Sequence, residues 1–423
     1  MALTLTACTT PQAPGPSAGP SGPATSEPVT SGTGTAPATS PSPSSTSSAA
    51  TSPHSPTAST PPAPPSSTSP TTSSCVTSIV DRLTPAQRAG QLLMVGLDVK
   101  AARNSLDSLV TGRHLGGVVL LGGWYDGSAS VRSTTNHLAS LGSARTTGGL
   151  GLLLAADQEG GNVQQLRGAG FTRIPSALDQ GSLSPRDLTA AATSWGRELE
   201  RAGINVNLAP VADTVPNSVG TANQPIGRWG REYAHDAARV ATMSVAFLKG
   251  MHAAGVATSV KHFPGLGRIT GNTDLTARGI TDSVTTTHDP YLEPFAAGIG
   301  AGTDLVMVGS AIYSRIDPGV NAVFSQRIVS GLLRDQLGYR GVVITDDVGA
   351  AKAVAAVPAG QRAVRFVAAG GDIVLTARPG TVPAMHDALT ARMRTDPAFA
   401  DLVEAAVTRV VTLKVARGLA SCR

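Results

Sequence analysis

Eight short apolar runs, each bounded by Gly, Pro or Asp, recur along the chain after its first fifth. They cover residues 92–97, 117–121, 152–156, 204–208, 256–260, 305–308, 342–344 and 373–376. Runs this short with almost no polar interruption predict strands that are buried on both faces, as in a parallel sheet covered by helices.

Segments with helical spacing of apolar residues lie between most of these runs. The clearest cover residues 185–202, 236–254 and 325–337. Ser184 and Ser325 are suitable N-caps, while Gly255 and Gly338 are suitable stops. Alternation of strands and helices predicts an α/β fold, and eight units predict closure into a single (β/α)8 TIM barrel. An open, doubly wound sheet would give a similar pattern.

Polar residues follow four of the predicted strands, where barrel enzymes hold their chemistry. They are Asp157 after strand three, Asp213 after strand four, Lys261 and His262 after strand five, and Asp346 and Asp347 after strand seven. Each has an ordinary structural explanation: Asp213 could hold a turn, Lys261 could be a surface lysine and His262 a core histidine. We expect Asp347 to cap the following helix. Their coincidence at one barrel rim predicts an active site.

Residues 9–74 consist almost entirely of Pro, Ser, Thr, Ala and Gly, with Glu27 as the one formal charge. Such a segment cannot bury enough apolar surface to offset the entropy of ordering it, so we predict a disordered linker. Residues 75–423 then form one domain.

Charge and hydropathy exclude several classes of function. The net charge is +5, with 14% charged residues and no basic run, which is not the pattern of a nucleic-acid-binding protein. No apolar run reaches the roughly 18 residues that a membrane helix needs. We expect a monomer that uses no metal and no cofactor.

The three cysteines indicate an exported protein. Cys8 ends the string LTAC, which resembles the lipobox of bacterial lipoproteins, so we predict residues 1–8 to be the remnant of a lipoprotein signal with Cys8 lipidated. Seven residues are too few for a complete signal, and we expect the natural start further upstream. Cys75 and Cys422 bracket the globular region. Because a closed barrel brings its first and last elements together, we predict a Cys75–Cys422 disulfide.

Five strings carry a resemblance to a known family: LTPAQRAGQLLMVG (83–96), DQEGGNVQQLR (157–167), GINVNLAPVADT (203–214), VKHFPGLG (260–267) and GVVITDD (341–347). They resemble the single-domain, NagZ-type β-N-acetylglucosaminidases of glycoside hydrolase family 3. The resemblance implies a retaining exo-enzyme without cofactor that releases terminal N-acetylglucosamine from peptidoglycan-derived fragments.

The resemblance also assigns roles to individual residues. It implies Asp346 as the nucleophile that forms a covalent glycosyl intermediate, with nearby Lys and Arg keeping it ionised. It implies that Asp157, Lys261 and His262 bind sugar hydroxyls. Arg231 matches the sugar-binding arginine of the family, with Arg228 as the alternative. Glu159 is conceivable as a carboxylate partner, but it matches a segment that in the family is mainly a turn beside the sugar.

Two positions depart from the family pattern. The family's acid/base is an Asp-x-His dyad after strand five, and the aligned residues here are Asn272 and Asp274. We expect Asp274 to replace the missing histidine, although it could instead form an Asx-turn. An ionised carboxylate would repel phosphate, which favours hydrolysis over phosphorolysis. The segment around Ser310 lacks the histidine that relatives often carry after strand six.

Three other functions stay open at this point. A β-glucosidase or a glycoside phosphorylase would use the same barrel. A lipoprotein that binds muropeptides without cleaving them would explain the missing histidine. For all of them we expect an exported protein, secreted or anchored to the cell membrane through its lipid.

Overall fold

The barrel is built from eight parallel strands. The structure is a computed structural model that describes residues 72–422. Cys8 and nearly all of the predicted linker lie outside these described residues. The strands are β1 Leu93–Asp98, β2 Gly117–Leu121, β3 Leu153–Ala156, β4 Val206–Asn207, β5 Ala257–Phe263, β6 Leu305–Val308, β7 Val342–Thr345 and β8 Val374–Thr376.

Neighbouring strands pair in parallel in the order β7-β6-β5-β4-β3-β2-β1-β8. The seam between β7 and β8 is closed by a bridge between Ile344 and Ile373 and by a hydrogen bond from the Thr345 N–H to the Ile373 carbonyl, 2.9 Å long. The prediction of a (β/α)8 barrel is therefore confirmed.

Helices surround this sheet. They are α1 Thr72–Arg82, α2 Pro85–Gln91, α3 Asp107–Gly112, α4 Ser128–Ser140, α5 Ala144–Thr147, α6 Ala177–Gln180, α7 Pro185–Arg201, α8 Ala237–Ala253, α9 Glu293–Gly300, α10 Ala359–Ala368, α11 Val382–Thr395 and α12 Pro397–Ala416. A π-helix covers Arg327–Gln336 where an α-helix over 325–337 was predicted. Ser325 caps it as expected, because its Oγ accepts the Ile328 N–H at 3.2 Å. No helix between residues 72 and 422 combines the length and the apolar character needed to cross a membrane.

Helix α1 begins at Thr72, three residues before the predicted end of the linker. Its first turn is polar, but Cys75, Val76, Ile79 and Val80 are buried, which is the spacing of one helical face. The helix was not predicted because its first residues are small and polar, like those of the linker before it.

Strand β4 is shorter than predicted because two asparagine side chains replace backbone pairing at this place. Asn205 Oδ1 accepts the Leu154 N–H at 2.9 Å, and Asn207 Oδ1 accepts the Gln158 N–H at 3.0 Å. Strand β5 is longer than predicted and continues to Phe263. Lys261 and His262 therefore lie within a buried strand, which fixes their direction more firmly than a loop would.

The two ends of the domain are joined. Cys75 in α1 and Cys422 after α12 form a disulfide with their Cα atoms 5.4 Å apart, so the predicted bridge is present in the structure. Helix α12 also supplies side chains to the lower end of the barrel. The Arg409 guanidinium bonds to Asp372, and the Lys414 ammonium donates to Gln91 Oε1 at 2.6 Å.

Candidate active site

A pocket of about 280 Å³ opens at the carboxyl ends of the strands. All six predicted catalytic and sugar-binding residues line it: Asp157, Arg231, Lys261, His262, Asp274 and Asp346. Apolar walls come from Val119 and Leu121 of β2 and Met307 of β6. The volume is close to the lower end of the usual range for ligand pockets, roughly 300 Å³, which suits one sugar ring.

A buried network of charges forms one wall of the pocket. The Lys261 ammonium donates to Asp157 Oδ1 at 2.5 Å and lies 2.6 Å from Glu159 Oε1. Arg231 binds Glu159 with both arms of its guanidinium, at 2.8 Å each, and donates to the Pro225 carbonyl at 2.8 Å. Such a bidentate pair fixes the arginine in one orientation.

Glu159 is the centre of this network, a role that the sequence interpretation missed when it treated this segment as a turn. Burial by itself would raise the pKa of Glu159, but Arg231 and Lys261 outweigh it and hold the pKa at about 2. Burial likewise opposes the charge on Lys261, while Asp157 and Glu159 raise its pKa. The signal was present in the sequence, because Asp157 and Glu159 are two residues apart and extended backbone points such residues to the same side.

Lys261 and Arg231 line the same pocket as Asp346. Among the described residues neither cation forms an ion pair with Asp346, because both are paired with Asp157 and Glu159. Asp346 instead accepts the backbone N–H of Asp347 at 2.9 Å. Its side chain is half-buried at the end of β7, a rigid position for an attacking carboxylate.

Asp347 is not the helix cap that was expected. Its carboxylate accepts backbone N–H groups from Gly349 at 2.7 Å, Ala350 at 3.0 Å and Ala377 at 2.8 Å. The next helical element, a short 3-10 helix over Lys352–Val354, begins beyond these bonds. Asp347 therefore ties the loop after β7 to the loop after β8, and its side chain holds the turn in which Asp346 lies.

His262 is oriented by Asp213. The His262 Nδ1 atom lies 2.7 Å from Asp213 Oδ2, and Asp213 also accepts the backbone N–H of Leu266 at 2.7 Å. A carboxylate only accepts, so Nδ1 carries the hydrogen and Nε2 is left to face Arg231, whose Nη2 is 3.4 Å away. Asp213 thus does more than hold a turn, since it sets the tautomer of a pocket histidine.

Asp274 lies on the loop after β5, at the mouth of the pocket. The backbone around it is held by the loop after β7: Lys352 N–H donates to the Asp274 carbonyl at 3.1 Å, and Ala353 N–H donates to the Thr273 carbonyl at 3.0 Å. The alternative that Asp274 forms an Asx-turn is not observed. Asn272 forms it instead, with its Oδ1 accepting the Asp274 N–H at 2.9 Å.

The Asp274 carboxylate is left free for chemistry. Among the described residues it makes no hydrogen bond and no ion pair, and its side chain is exposed in the open mouth. Desolvation by the pocket walls and the nearby carboxylates of Asp346 and Asp347 raise the pKa of Asp274 to about 7. A carboxylic acid with this pKa is protonated in a large fraction of molecules near neutral pH, as a general acid requires.

The alternative arginine, Arg228, lies outside the pocket. Its side chain is exposed, and its Cζ stacks over the Trp229 ring at 5.5 Å from the ring centroid. Arg231 is therefore the arginine at the sugar position. Between residues 72 and 422, no group of three or more His, Cys, Asp or Glu side chains is arranged to hold a metal ion.

Comparisons with known proteins identify the family of this chain. The model of the "Glycosyl hydrolase family 3 N terminal domain" matches residues 85–413. A crystal structure of a β-N-acetylhexosaminidase from Beutenbergia cavernae is 48% identical, with a TM-score of 0.77, and the match covers 79% of this chain and 99% of that one. A β-hexosaminidase from Stenotrophomonas maltophilia is 35% identical over 242 residues, which are 55% of this chain and 70% of the relative.

A family 3 β-N-acetylglucosaminidase from Paenibacillus is 30% identical with a TM-score of 0.69, and the match covers 80% of this chain and 63% of that one. The family match spans most of the barrel, including every residue placed in the pocket. This chain therefore belongs to glycosyl hydrolase family 3 and is a glycoside hydrolase that acts on O-glycosyl bonds.

Proposed function

We propose that this protein is a retaining exo-β-N-acetylglucosaminidase that removes terminal β-linked N-acetylglucosamine from peptidoglycan-derived fragments. The observation that supports it most strongly is one pocket of single-sugar size in which Asp346 and Asp274 face the same space. The acetamido specificity comes from the similarity to β-N-acetylhexosaminidases at up to 48% identity.

In the first step, an Asp346 oxygen attacks the anomeric carbon as the bond from that carbon to the leaving oxygen breaks. Protonated Asp274 donates its proton to the leaving oxygen. The aglycone departs as an alcohol, and the sugar stays bonded to Asp346 as a covalent ester.

In the second step, the Asp274 carboxylate takes a proton from water while the water oxygen attacks the anomeric carbon. The ester bond to Asp346 breaks, which releases the sugar with its original configuration and returns both residues to their starting states. Neither step needs a metal or a cofactor.

In this proposal, the wall of the pocket that is formed by the buried charge network binds the hydroxyl groups of the sugar. Asp157 is part of the buried charge network yet keeps an exposed edge, so its second oxygen is available to a sugar hydroxyl. Hydrogen-bond donors in fixed positions come from Lys261 and Arg231, and the Nε2 atom of His262 supplies an acceptor. Because Asp157 and Glu159 together already neutralise Lys261 and Arg231, the network binds a neutral sugar rather than an anion.

Export belongs to the same proposal. A protein lipidated at Cys8 and held away from the membrane by residues 9–74 would meet cell-wall fragments outside the cytoplasm. The Cys75–Cys422 disulfide supports this location, because disulfides persist in oxidising compartments.

The test is hydrolysis of a chromogenic N-acetyl-β-glucosaminide by the full chain, with the matching β-glucoside alongside. We expect cleavage of the first substrate only, and Asp346→Asn should lower kcat by about 1,000-fold or more. Asp401→Asn, an exposed carboxylate on α12, is the matched control and should leave the rate unchanged.

Other outcomes would select the other functions. Equal rates on both sugars would remove the acetamido specificity, and a rate that rises steeply with phosphate would indicate a phosphorylase. A folded protein that binds the sugar without turnover would indicate a muropeptide-binding lipoprotein.

A further inference from the structure

Two exposed apolar side chains flank residues of the pocket. Six large hydrophobic residues in the described part of the chain are exposed, and two of them lie within two residues of a side chain that lines the pocket. These two are Trp229 at 45% exposure and Leu275 at 76%. Exposed tryptophan is costly to keep in water and commonly marks a binding surface.

Trp229 and Leu275 stand on the two loops that form one side of the mouth. The loop after β4 contributes Pro225 and Arg231 to the pocket wall, and the loop after β5 contributes Asn272, Thr273 and Asp274. Trp229 lies two residues before Arg231, and Leu275 directly follows Asp274.

Buried Asn223 joins these two loops. Its Nδ2 donates to the carbonyls of Leu266 at 2.7 Å and Ile269 at 2.8 Å, on the loop after β5. Its Oδ1 accepts the N–H groups of Ile226 at 2.9 Å and Gly227 at 2.8 Å, on the loop after β4. The short 3-10 helix Gly227–Trp229 therefore has a fixed position beside the loop that carries Asp274.

The Arg228 guanidinium lies over the Trp229 ring, with its Cζ 5.5 Å from the ring centroid. The backbone beside the ring is held separately, because the Gly230 carbonyl accepts the Leu178 N–H at 3.2 Å. The ring is partly exposed, and the guanidinium places hydrogen-bond donors beside it.

The reaction determines what must lie at this side of the mouth. A pocket of about 280 Å³ encloses one sugar ring, so the rest of the substrate has to extend outside it. The leaving oxygen must reach Asp274, and the aglycone attached to that oxygen therefore emerges next to the loop that carries this residue.

We propose that Trp229 and Arg228 form an aglycone subsite that binds the second sugar ring of an oligosaccharide substrate, an inference that rests on the proposed function. The C–H-rich face of a β-linked pyranose packs against the indole face, and the Arg228 guanidinium donates to the hydroxyl or acetamide oxygens of the same ring. This subsite makes the enzyme prefer sugar aglycones over small leaving groups.

The experiment compares two substrates of the full-length enzyme, tri-N-acetylchitotriose and N-acetyl-β-glucosaminyl fluoride. The fluoride fills only the pocket, because its leaving group is a single atom. We expect Trp229→Ala to lower kcat/KM for the trisaccharide by about tenfold, the size typical of a truncated contact tryptophan, with the fluoride changed by less than about twofold. Trp229→Phe should restore most of the loss.

Tyr125→Ala is the matched control. Tyr125 is also an exposed aromatic residue beside a cation, with Arg167 Cζ at 4.9 Å from its ring centroid, but it follows β2 and is not among the residues that line the pocket. We expect Tyr125→Ala to leave kcat/KM unchanged for both substrates. The inference is overturned if Trp229→Ala affects both substrates equally or neither, or if Tyr125→Ala shows the selective loss. A wild-type enzyme that cleaves neither substrate contradicts the proposed function itself, and the subsite with it.

Discussion

At the scale of single residues, the surroundings of Asp274 suit the acid/base role that we propose for it. The carboxylate stands between the pocket wall and two other aspartates, and these raise its pKa to about 7. A group that ordinarily ionises near pH 4 is thereby brought into the range in which histidine works.

This pKa has a direct consequence for the pH profile. Because the pKa is raised, Asp274 is protonated below about pH 7 and loses its proton above it. We expect kcat/KM for an alkyl or sugar aglycone to fall about tenfold per pH unit above that value, since the acid form is the active one. Asp274→Asn should lower kcat/KM by about 100-fold and remove this limb. The glycosyl fluoride needs no proton in the first step, so its kcat/KM should be kept in the variant, and a limb that survives Asp274→Asn would assign the acid elsewhere.

Asp213 provides a second prediction at this scale. Asp213→Asn would weaken the bond to His262 Nδ1 and the bond to the Leu266 N–H, so the histidine would no longer be held in one tautomer. We expect KM to rise and kcat/KM to fall about tenfold, a loss of roughly 1.4 kcal/mol in binding, with kcat less affected. Steady-state kinetics would check this, and an unchanged KM with a lower kcat would place Asp213 in the chemical step instead.

Four of the six predicted pocket residues, Asp157, Lys261, His262 and Asp346, could be named from the sequence because each lies at or just beyond the end of a predicted strand, and strand ends in a barrel converge. Arg231 and Asp274 were named through the family resemblance. The ion-pair and hydrogen-bond partners of these residues could not be predicted in this way. Whether Lys261 pairs with Asp346 or with Glu159 depends on which carboxylate lies within a few ångströms, and no spacing along the chain encodes that distance. Glu159 and Asp213 were therefore underestimated.

At the scale of elements, the loops after β4 and β5 behave as one unit because Asn223 satisfies backbone groups on both. We expect Asn223→Ala to lower the free energy of unfolding by about 3 kcal/mol, since it leaves four buried backbone groups without this partner. Urea unfolding would measure the change, with the half-buried neighbour Gln224→Ala as the control. A loss below that of the control would show that the two loops are held by other contacts.

Hydrophobic periodicity located the strands to within about two residues but not the exceptions. Strand β4 is short because asparagine side chains take over its hydrogen bonds, and α1 was missed because its first turn is made of small polar residues. In both cases side-chain bonding or distant packing overrides the local pattern that a sequence displays.

At the scale of the whole molecule, α12 closes the lower end of the barrel with a buried cation that has no carboxylate partner. Lys414 donates to Gln91 Oε1 and to the Gly116 carbonyl, and its burial lowers the pKa of the ammonium to about 7. Neutral acceptors satisfy its hydrogens without offsetting the cost of its charge.

Stability should therefore depend on pH in alkaline solution. The unfolded chain has an ordinary lysine pKa near 10.4, so between about pH 7 and 10 it binds more protons than the folded protein, and the Lys414 contribution to stability rises with pH there. We expect Lys414→Met to reduce the slope of unfolding free energy against pH by up to about 1.4 kcal/mol per unit. Urea unfolding at pH 7 and pH 9.5 would show it, whereas equal slopes would mean that the buried amine stays charged.

The disulfide between α1 and the end of the chain turns the catalytic domain into a covalent ring, since 347 positions separate its two cysteines. A peptidase that cuts one exposed loop within this ring leaves every strand of the barrel attached, and two cuts are needed before any fragment can leave. Limited digestion should therefore give one band of unchanged mass on a non-reducing gel and two fragments once the thiols are reduced. An enzyme built in this way can be nicked in a protease-rich environment and remain a single molecule.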